Sequence, residues 1–315
     1  MKKRILSVML ILVSLLLFNS ISYACVGARP LGMGGAFVSV ADNVNAIYWN
    51  PAGLTQLEQY ETTYTRTINN RDMINYNDFI GFAGTNDELG FSYGLGYIGE
   101  GQEGTMIDPY YGETEVELST NWLVFSFGKD LSELENEVFD GLSVGANIRR
   151  MSREEEYNPI NYQGTASDSD SSIAVDLSAL YQINNELSAG LLIQDLFETE
   201  FELFDQKISY IRNIRPSVSY QLDDYLTLAF SVYDFRDEFD RNISFGGELE
   251  VTAISDLEVL NSEEEKVYVR GGAYQENLTL GAGYEYEDLQ FDYAFLGGDL
   301  ENTHQLGVTY QFEGL

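Results

Sequence analysis

Cysteine, histidine, proline and positive charge are all scarce in this sequence, and each shortage excludes something. Cys25 is the only cysteine, so no intramolecular disulfide or dithiol redox pair can form. His304 is the only histidine, which rules out a histidine-rich metal site. As a general base it would need a serine and an acid beside it. Its place at the start of the last alternating segment reads instead as a rim position. Lys and Arg number 17 against 51 Asp and Glu, a formal charge of −34. A field of that sign repels nucleic acid, so no nucleic-acid partner is expected. Beyond the N-terminus no apolar run approaches the roughly twenty residues that a membrane-spanning helix needs.

The first residues read as a secretory signal. Lys2, Lys3 and Arg4 form a positive start, Ile5 to Phe18 is almost purely apolar, and Ser22-Tyr23-Ala24 offers small residues for cleavage. Residues 1–24 are therefore expected to be a signal peptide. Cys25 would then be the first mature residue, either as a lipidated cysteine or by accident of position.

What the chain does have is aromatic residues, 22 Tyr and 18 Phe, with 29 Gly. From about Tyr60 onward they fall into two-residue alternation. Leu306, Val308, Tyr310 and Phe312 alternate with Gln305, Gly307, Thr309 and Gln311. Leu278, Leu280, Ala282, Tyr284 and Tyr286 alternate with Thr279, Gly281, Gly283, Glu285 and Glu287. Period two places each set on one face of a strand. About fourteen such segments are predicted, near 60–68, 75–84, 89–99, 121–130, 141–153, 171–183, 187–197, 211–222, 225–235, 242–253, 266–274, 277–286, 289–296 and 304–312. Most have the length a tilted strand needs to cross a bilayer. Tight turns such as Asn184-Asn185 and Asp223-Asp224 alternate with long polar connections at about 100–120, 154–170 and 198–210. Short inner turns and long external loops are the pattern of outer-membrane barrels. Tyr93, Tyr97, Tyr181, Tyr233, Tyr284 and Phe312, at strand ends, fit aromatic girdles. An even count closes the sheet and removes its edges. The expected fold is all-β, a transmembrane antiparallel barrel of about fourteen strands in an outer membrane, with outer-membrane lipid as its surroundings.

Residues 25–58 do not alternate. Gly32, Gly34 and Gly35 break any strand, and Ala36 to Ala41 and Val44 to Tyr48 suggest short helical turns. Asn50-Pro51 is a helix start, with Asn as cap and Pro at the first helical position. Such a compact, glycine-rich piece ahead of a barrel fits its lumen. The predicted organisation is a leader at 1–24, an N-terminal hatch at 25–58 and the barrel at 59–315.

The hatch stretch carries a family resemblance. Gly27-Ala28-Arg29, Leu31 to Phe37, Ala41-Asp42 and Tyr48-Trp49-Asn50-Pro51-Ala52-Gly53-Leu54 resemble the N-terminus of FadL-like outer-membrane proteins, most of all the PorV/PorQ branch. Gly190 to Leu196, Arg215 to Tyr220, Asp292 to Phe295 and Thr303-His304-Gln305 are similar to later strands of that family. The resemblance implies a fourteen-stranded barrel closed by a hatch whose turn is Asn50, Pro51 and Ala52. For the FadL type it implies diffusive uptake of hydrophobic small molecules such as long-chain fatty acids. For the PorV type it implies an outer-membrane component of a protein secretion system that docks exported proteins.

Other constellations read more plainly. The glycines at 32–35 lack the strand and the Lys-Ser/Thr of a phosphate loop, so close packing against the wall explains them better. On the predicted strands Arg149, Asp176, Glu248, Glu250, Arg270, Glu285, Glu287 and Asp292 point inward, as a hydrated lumen or a selectivity lining. Arg149 and Arg270 stand out because cations are scarce, and they are candidates to anchor hatch carbonyls or an anionic head group. Glu154-Glu155-Glu156, Asp168 and Asp170 lack the spacing of a calcium loop and are expected to be a solvated outer loop. Gly94 and Gly96 are candidate kinks in the third strand. No catalytic residue, metal site or cofactor is expected, and the chain reads as a non-enzyme.

Overall fold

The computed structural model describes residues 26–69, 74–86, 90–108, 111–134, 139–161, 164–236, 241–252, 265–275, 277–298 and 302–313. The expected leader and Cys25 lie outside them. Fourteen strands close into one antiparallel barrel, from β1 (Tyr60–Asn69), β2 (Ile74–Asn86), β3 (Phe91–Asp108) and β4 (Gly112–Asp130) through β5 (Leu142–Pro159), β6 (Ala166–Gln182) and β7 (Leu187–Gln194). The wall continues with β10 (Asn213–Asp223), β11 (Leu226–Tyr233), β12 (Asn242–Glu250), β13 (Glu265–Tyr274), β14 (Asn277–Tyr286), β15 (Leu289–Leu296) and β16 (Thr303–Phe312). β16 returns to β1 over its whole length, from Tyr60 opposite Phe312 to Asn69 opposite Thr303. Closure gives every wall strand a hydrogen-bonded neighbour on each side, which a hydrocarbon environment requires.

The alternation sorts the side chains as expected. On β1, Glu61, Thr63, Thr65 and Thr67 are buried inside, while Tyr64 and Ile68 face outward. The outward set includes Ile80, Leu95, Phe125, Phe127, Ile148, Leu177, Val218, Leu228, Phe230, Leu280, Phe291 and Val308, an apolar belt around the barrel. At the end carrying both barrel termini, Tyr60 stacks on Phe82 and Phe312 at 5.9 and 5.8 Å, an aromatic rim of the kind that marks a membrane interface. A closed fourteen-strand barrel with this belt is an outer-membrane protein.

Three expectations about the outer side change. The polar connections at 100–120 and 154–170 are not loops: β3 to β6 continue through them, paired as far as Asp108 with Gly112 and Tyr157 with Ala166. The connection at 198–210 contains a separate hairpin, β8 (Thr199–Leu203) paired with β9 (Gln206–Tyr210). Asp168 and Asp170 are not solvated loop carboxylates. They accept hydrogen bonds from the backbone N–H of Phe204 (2.6 Å) and Glu202 (2.8 Å) and so fasten that hairpin to β6. Glu155 is also buried, receiving Arg153 at 2.8 Å.

Residues 26–57, the expected plug, lie buried against the inner wall of the barrel. Two short helices, Ala28–Gly32 and Ala46–Trp49, precede a 3-10 turn at Pro51–Gln56. Of the helical turns expected, the one at Val44 to Tyr48 forms as Ala46–Trp49, and Ala36 to Ala41 holds a single turn in which Val40 and Ala41 N–H donate to the Phe37 carbonyl. Leu31, Met33, Phe37, Ile47 and Leu54 are fully buried against the inner wall. Each such side chain contributes on the order of 1.5–3 kcal/mol.

Candidate functional site

The lumen is where chemistry-bearing groups converge, and the plug is the piece that organises it. Its turn sits flush on the wall. Asn50 is completely buried and donates Nδ2–H to the carbonyls of Val38 (2.7 Å) and Ala179 on β6 (3.1 Å). Its Oδ1 accepts from the N–H of Ala52, the capping arrangement that the Asn-Pro order predicts. That N–H also donates to Ser178 Oγ on β6 at 3.0 Å. Pro51 and Ala52 press so closely on β5 that a Cβ on Gly145 would lie 2.2 Å from the Ala52 nitrogen.

The plug glycines have steric reasons. Gly34 and Gly35 adopt φ of +65° and +70°, where side chains are strained, and a Cβ on Gly34 would lie 2.5 Å from the Phe245 carbonyl on β12. Gly32 meets Gly281 of β14 with only 3.1 Å for a Cβ. Gly94 and Gly96 form no kink for passage: both lie beneath Ile47, which a Cβ on either would meet at 2.7–2.8 Å.

Arg149 and Arg270 are both inside, and both are matched by carboxylates. Arg149, 1% exposed, meets Asp176 at 2.8 Å and Asp195 at 2.9 Å, and its guanidinium lies 4.8 Å from the Trp122 ring. Arg270 meets Glu248 at 2.5 Å and Asp292 at 2.7 Å. Glu248 in turn takes a bidentate contact from Arg29 of the plug, both bonds 2.8 Å, and Arg29 also grips Asp42 at 2.6 and 3.0 Å. Burial opposes the charge on Arg29, but Asp42 and Glu248 more than offset it, so its pKa is raised. Arg270 thus holds the plug through a shared carboxylate rather than through backbone carbonyls. Glu285 is half-buried near the inner end, bonded to Lys266 (3.2 Å) and Tyr268 (3.1 Å). Glu250 is also half-buried. Glu287 is exposed in the β14–β15 turn, because the strand ends at Tyr286 before the alternation can carry it inward.

Beneath the external hairpin the lumen is apolar and aromatic. Phe201 and Leu203 of β8 are 1% exposed and join the same core as Met151, Ala174, Leu192 and the plug. Across the lumen runs a stack. Arg149 covers Trp122, Trp122 stacks on Tyr48 of the plug (6.2 Å, 24°), and Arg215 of β10 lies beyond Tyr48 and 4.2 Å from Tyr233. Tyr233 therefore belongs to the interior rather than to a girdle, while Tyr97, Tyr181 and Tyr284 do face outward. Arg215 did not emerge from the sequence as a site residue. Its alternation phase with the inward Ser217 and Ser219 was the available sign.

The barrel is similar in fold to several solved structures. The "CymD monoaromatic hydrocarbon channel" superposes with a TM-score of 0.66 at 14% identity, covering 94% of this chain and 100% of that one. The chain has a FadL-like fold. A Pseudomonas aeruginosa FadL homologue matches with a TM-score of 0.61 at 11% identity, covering 91% and 98% of the two chains. The Pseudomonas putida toluene transporter TodX matches with 0.64 at 10% identity, covering 90% and 96%. No protein-family model matches the sequence, and no curated protein matches it. The FadL-like likeness is therefore one of fold, carried by the barrel over nearly its full length.

Proposed function

We propose that this FadL-like barrel admits hydrophobic small molecules across the outer membrane by diffusion, without covalent chemistry. The observation that carries the reading is the apolar, aromatic lining of the lumen between the external hairpin and the plug, where Trp122, Met151, Phe201, Leu203 and Tyr48 pack together. Polar solutes gain nothing from such a lining, whereas a hydrophobic one is transferred out of water. The solved structures of similar fold include channels named for monoaromatic hydrocarbons and toluene. Long-chain fatty acids are the other candidate cargo. The plug, with Asn50, Pro51 and Ala52 as its turn, acts as the barrier that must shift. The test is uptake of labelled toluene and oleate by cells that express the barrel and lack other such channels. Uptake above empty-vector cells for either compound supports the reading; equal uptake for both, with folded barrel present, refutes it.

A second reading has one specific observation behind it. Beyond the apolar belt β3 to β5 form an external sheet with Glu103, Glu113, Glu115, Glu117 and Glu154 exposed, Glu103 lying opposite Glu117. A flat acidic face suits docking of an exported basic protein, in the manner of a secretion-system component. Co-purification with secretion proteins that fails after Glu→Gln replacement of this face is the expected result under that reading.

A further inference from the structure

One lumen cation stands outside the ion-pair networks. Arg215 is 4% exposed, and among the described residues no carboxylate lies within ion-pair distance of it. Its Nη2 donates to Gln194 Oε1, its guanidinium lies over the rings of Tyr48 (5.9 Å) and Tyr233 (4.2 Å), and its Nε is buried without a partner. Arg29, Arg149 and Arg270 each face two carboxylates. In a chain of charge −34 a buried guanidinium without one is the exception, and an unpaired buried charge is costly.

The group that meets Arg215 is Tyr48, which differs from its neighbours on the plug. Ala46, Ile47 and Trp49 are buried, whereas Tyr48 is half-buried. Its ring stacks on Trp122, with the Arg215 guanidinium 5.9 Å from the ring centre on β10's side. A planar ring held between an indole and a guanidinium is the place an aromatic acid would fit, with the negative charge missing.

We propose that the slot Tyr48 occupies between Trp122 and Arg215 is a binding site for an aromatic carboxylate, for which Tyr48 is the resident stand-in. The ligand ring takes the place of the phenol against Trp122, and the carboxylate supplies the counter-charge that Arg215 lacks. A neutral aromatic satisfies only the ring half of the site, and an aliphatic acid only the charged half. This rests on the uptake reading and specifies its cargo.

The experiment uses the full-length barrel purified in detergent, its folding checked by heat-modifiable gel mobility. Trp49 and Trp122 are its only tryptophans, so a ligand stacking on Trp122 is read from quenching of tryptophan emission. The probes are 4-butylbenzoate, the uncharged 4-butylbenzyl alcohol and dodecanoate. The expected result is saturable quenching with the benzoate bound about ten- to a hundredfold more tightly than the alcohol, the range for a charge-assisted hydrogen bond. Arg215→Gln should erase that preference, Arg215→Lys should retain part of it, and Trp122→Phe should remove the quenching. Equal binding of benzoate and alcohol by the wild type overturns the inference while leaving uptake of hydrophobic molecules standing. Dodecanoate binding as tightly as the benzoate, with the same dependence on Arg215, overturns its aromatic part. Failure of every probe to bind a folded barrel, together with a negative uptake assay, overturns both readings.

Discussion

Asn50→Ala should loosen the plug and spare the barrel. The side chain is fully buried and makes three hydrogen bonds, two as donor to Val38 and Ala179 and one as acceptor from Ala52. Ala52 keeps Ser178 Oγ as a partner and Ala179 stays paired with both neighbouring strands, so the main loss falls on the buried Val38 carbonyl. A buried group left unsatisfied costs about 1–3 kcal/mol, here taken as about 2 kcal/mol. None of these bonds belongs to the strand ladders, so the cost falls on the equilibrium between docked and undocked plug. At about 1.4 kcal/mol per tenfold, amide exchange in residues 46–57 should accelerate roughly thirtyfold, with wall amides of β1, β15 and β16 unchanged. Asn50→Asp is the sharper control, because it keeps the cap on Ala52 but loses both donors. If the Asp variant exchanges like wild type, the two carbonyl bonds are not what holds the turn. If wall and plug lose protection together, the plug is part of the barrel's own cooperative unit and the reasoning fails.

Two further perturbations separate wall from plug and from hairpin. Gly246→Val should expel the plug segment around Met33, because a Cβ there would lie 2.2 Å from the Met33 carbonyl oxygen; protease cleavage between residues 26 and 57 of a folded barrel is the readout, and full resistance would contradict it. Asp168→Ala with Asp170→Ala removes the carboxylates that receive the backbone of Phe204 and Glu202, so β8–β9 should become cleavable in intact cells while heat-modifiable mobility stays unchanged.

The barrel was legible because its wall obeys one rule everywhere: lipid outside, plug or water inside, period two. All fourteen wall strands fall where the alternation puts them. The rule stops where the environment stops. In Ser167-Asp168-Ser169-Asp170-Ser171 both faces of β6 are polar, because beyond the belt neither face meets hydrocarbon, yet the ladder to β5 continues unbroken. A reading by hydrophobic period must take such a stretch for a loop. Tyr233 fits a girdle by residue type and by its place at a strand end, although its parity with Ala229 and Ser231 places it inside. Gly94 and Gly96 look like kinks in the sequence, since nothing local shows that Ile47, from another segment, rests on them.

The interior arginines show why burial alone does not mark a ligand site. Arg149 and Arg270 are each answered by two carboxylates, and Glu248 is shared by Arg270 and Arg29. Breaking such a group by removing one partner strands the others, at about 3–5 kcal/mol, so its members are bound to one another more firmly than to any passing solute. A ligand carboxylate at Arg149 would also have to sit beside Asp176 and Asp195, and like-charge repulsion opposes that. At Arg215 the balance is reversed: the neighbours are Gln194 and the rings of Tyr48 and Tyr233, and an incoming anion meets attraction without that repulsion. The same scarcity of positive charge that drew attention to Arg149 and Arg270 in the sequence therefore assigns them to holding the interior together. It leaves Arg215, a lumen arginine that no carboxylate meets among the described residues, as the residue able to recognise something from outside.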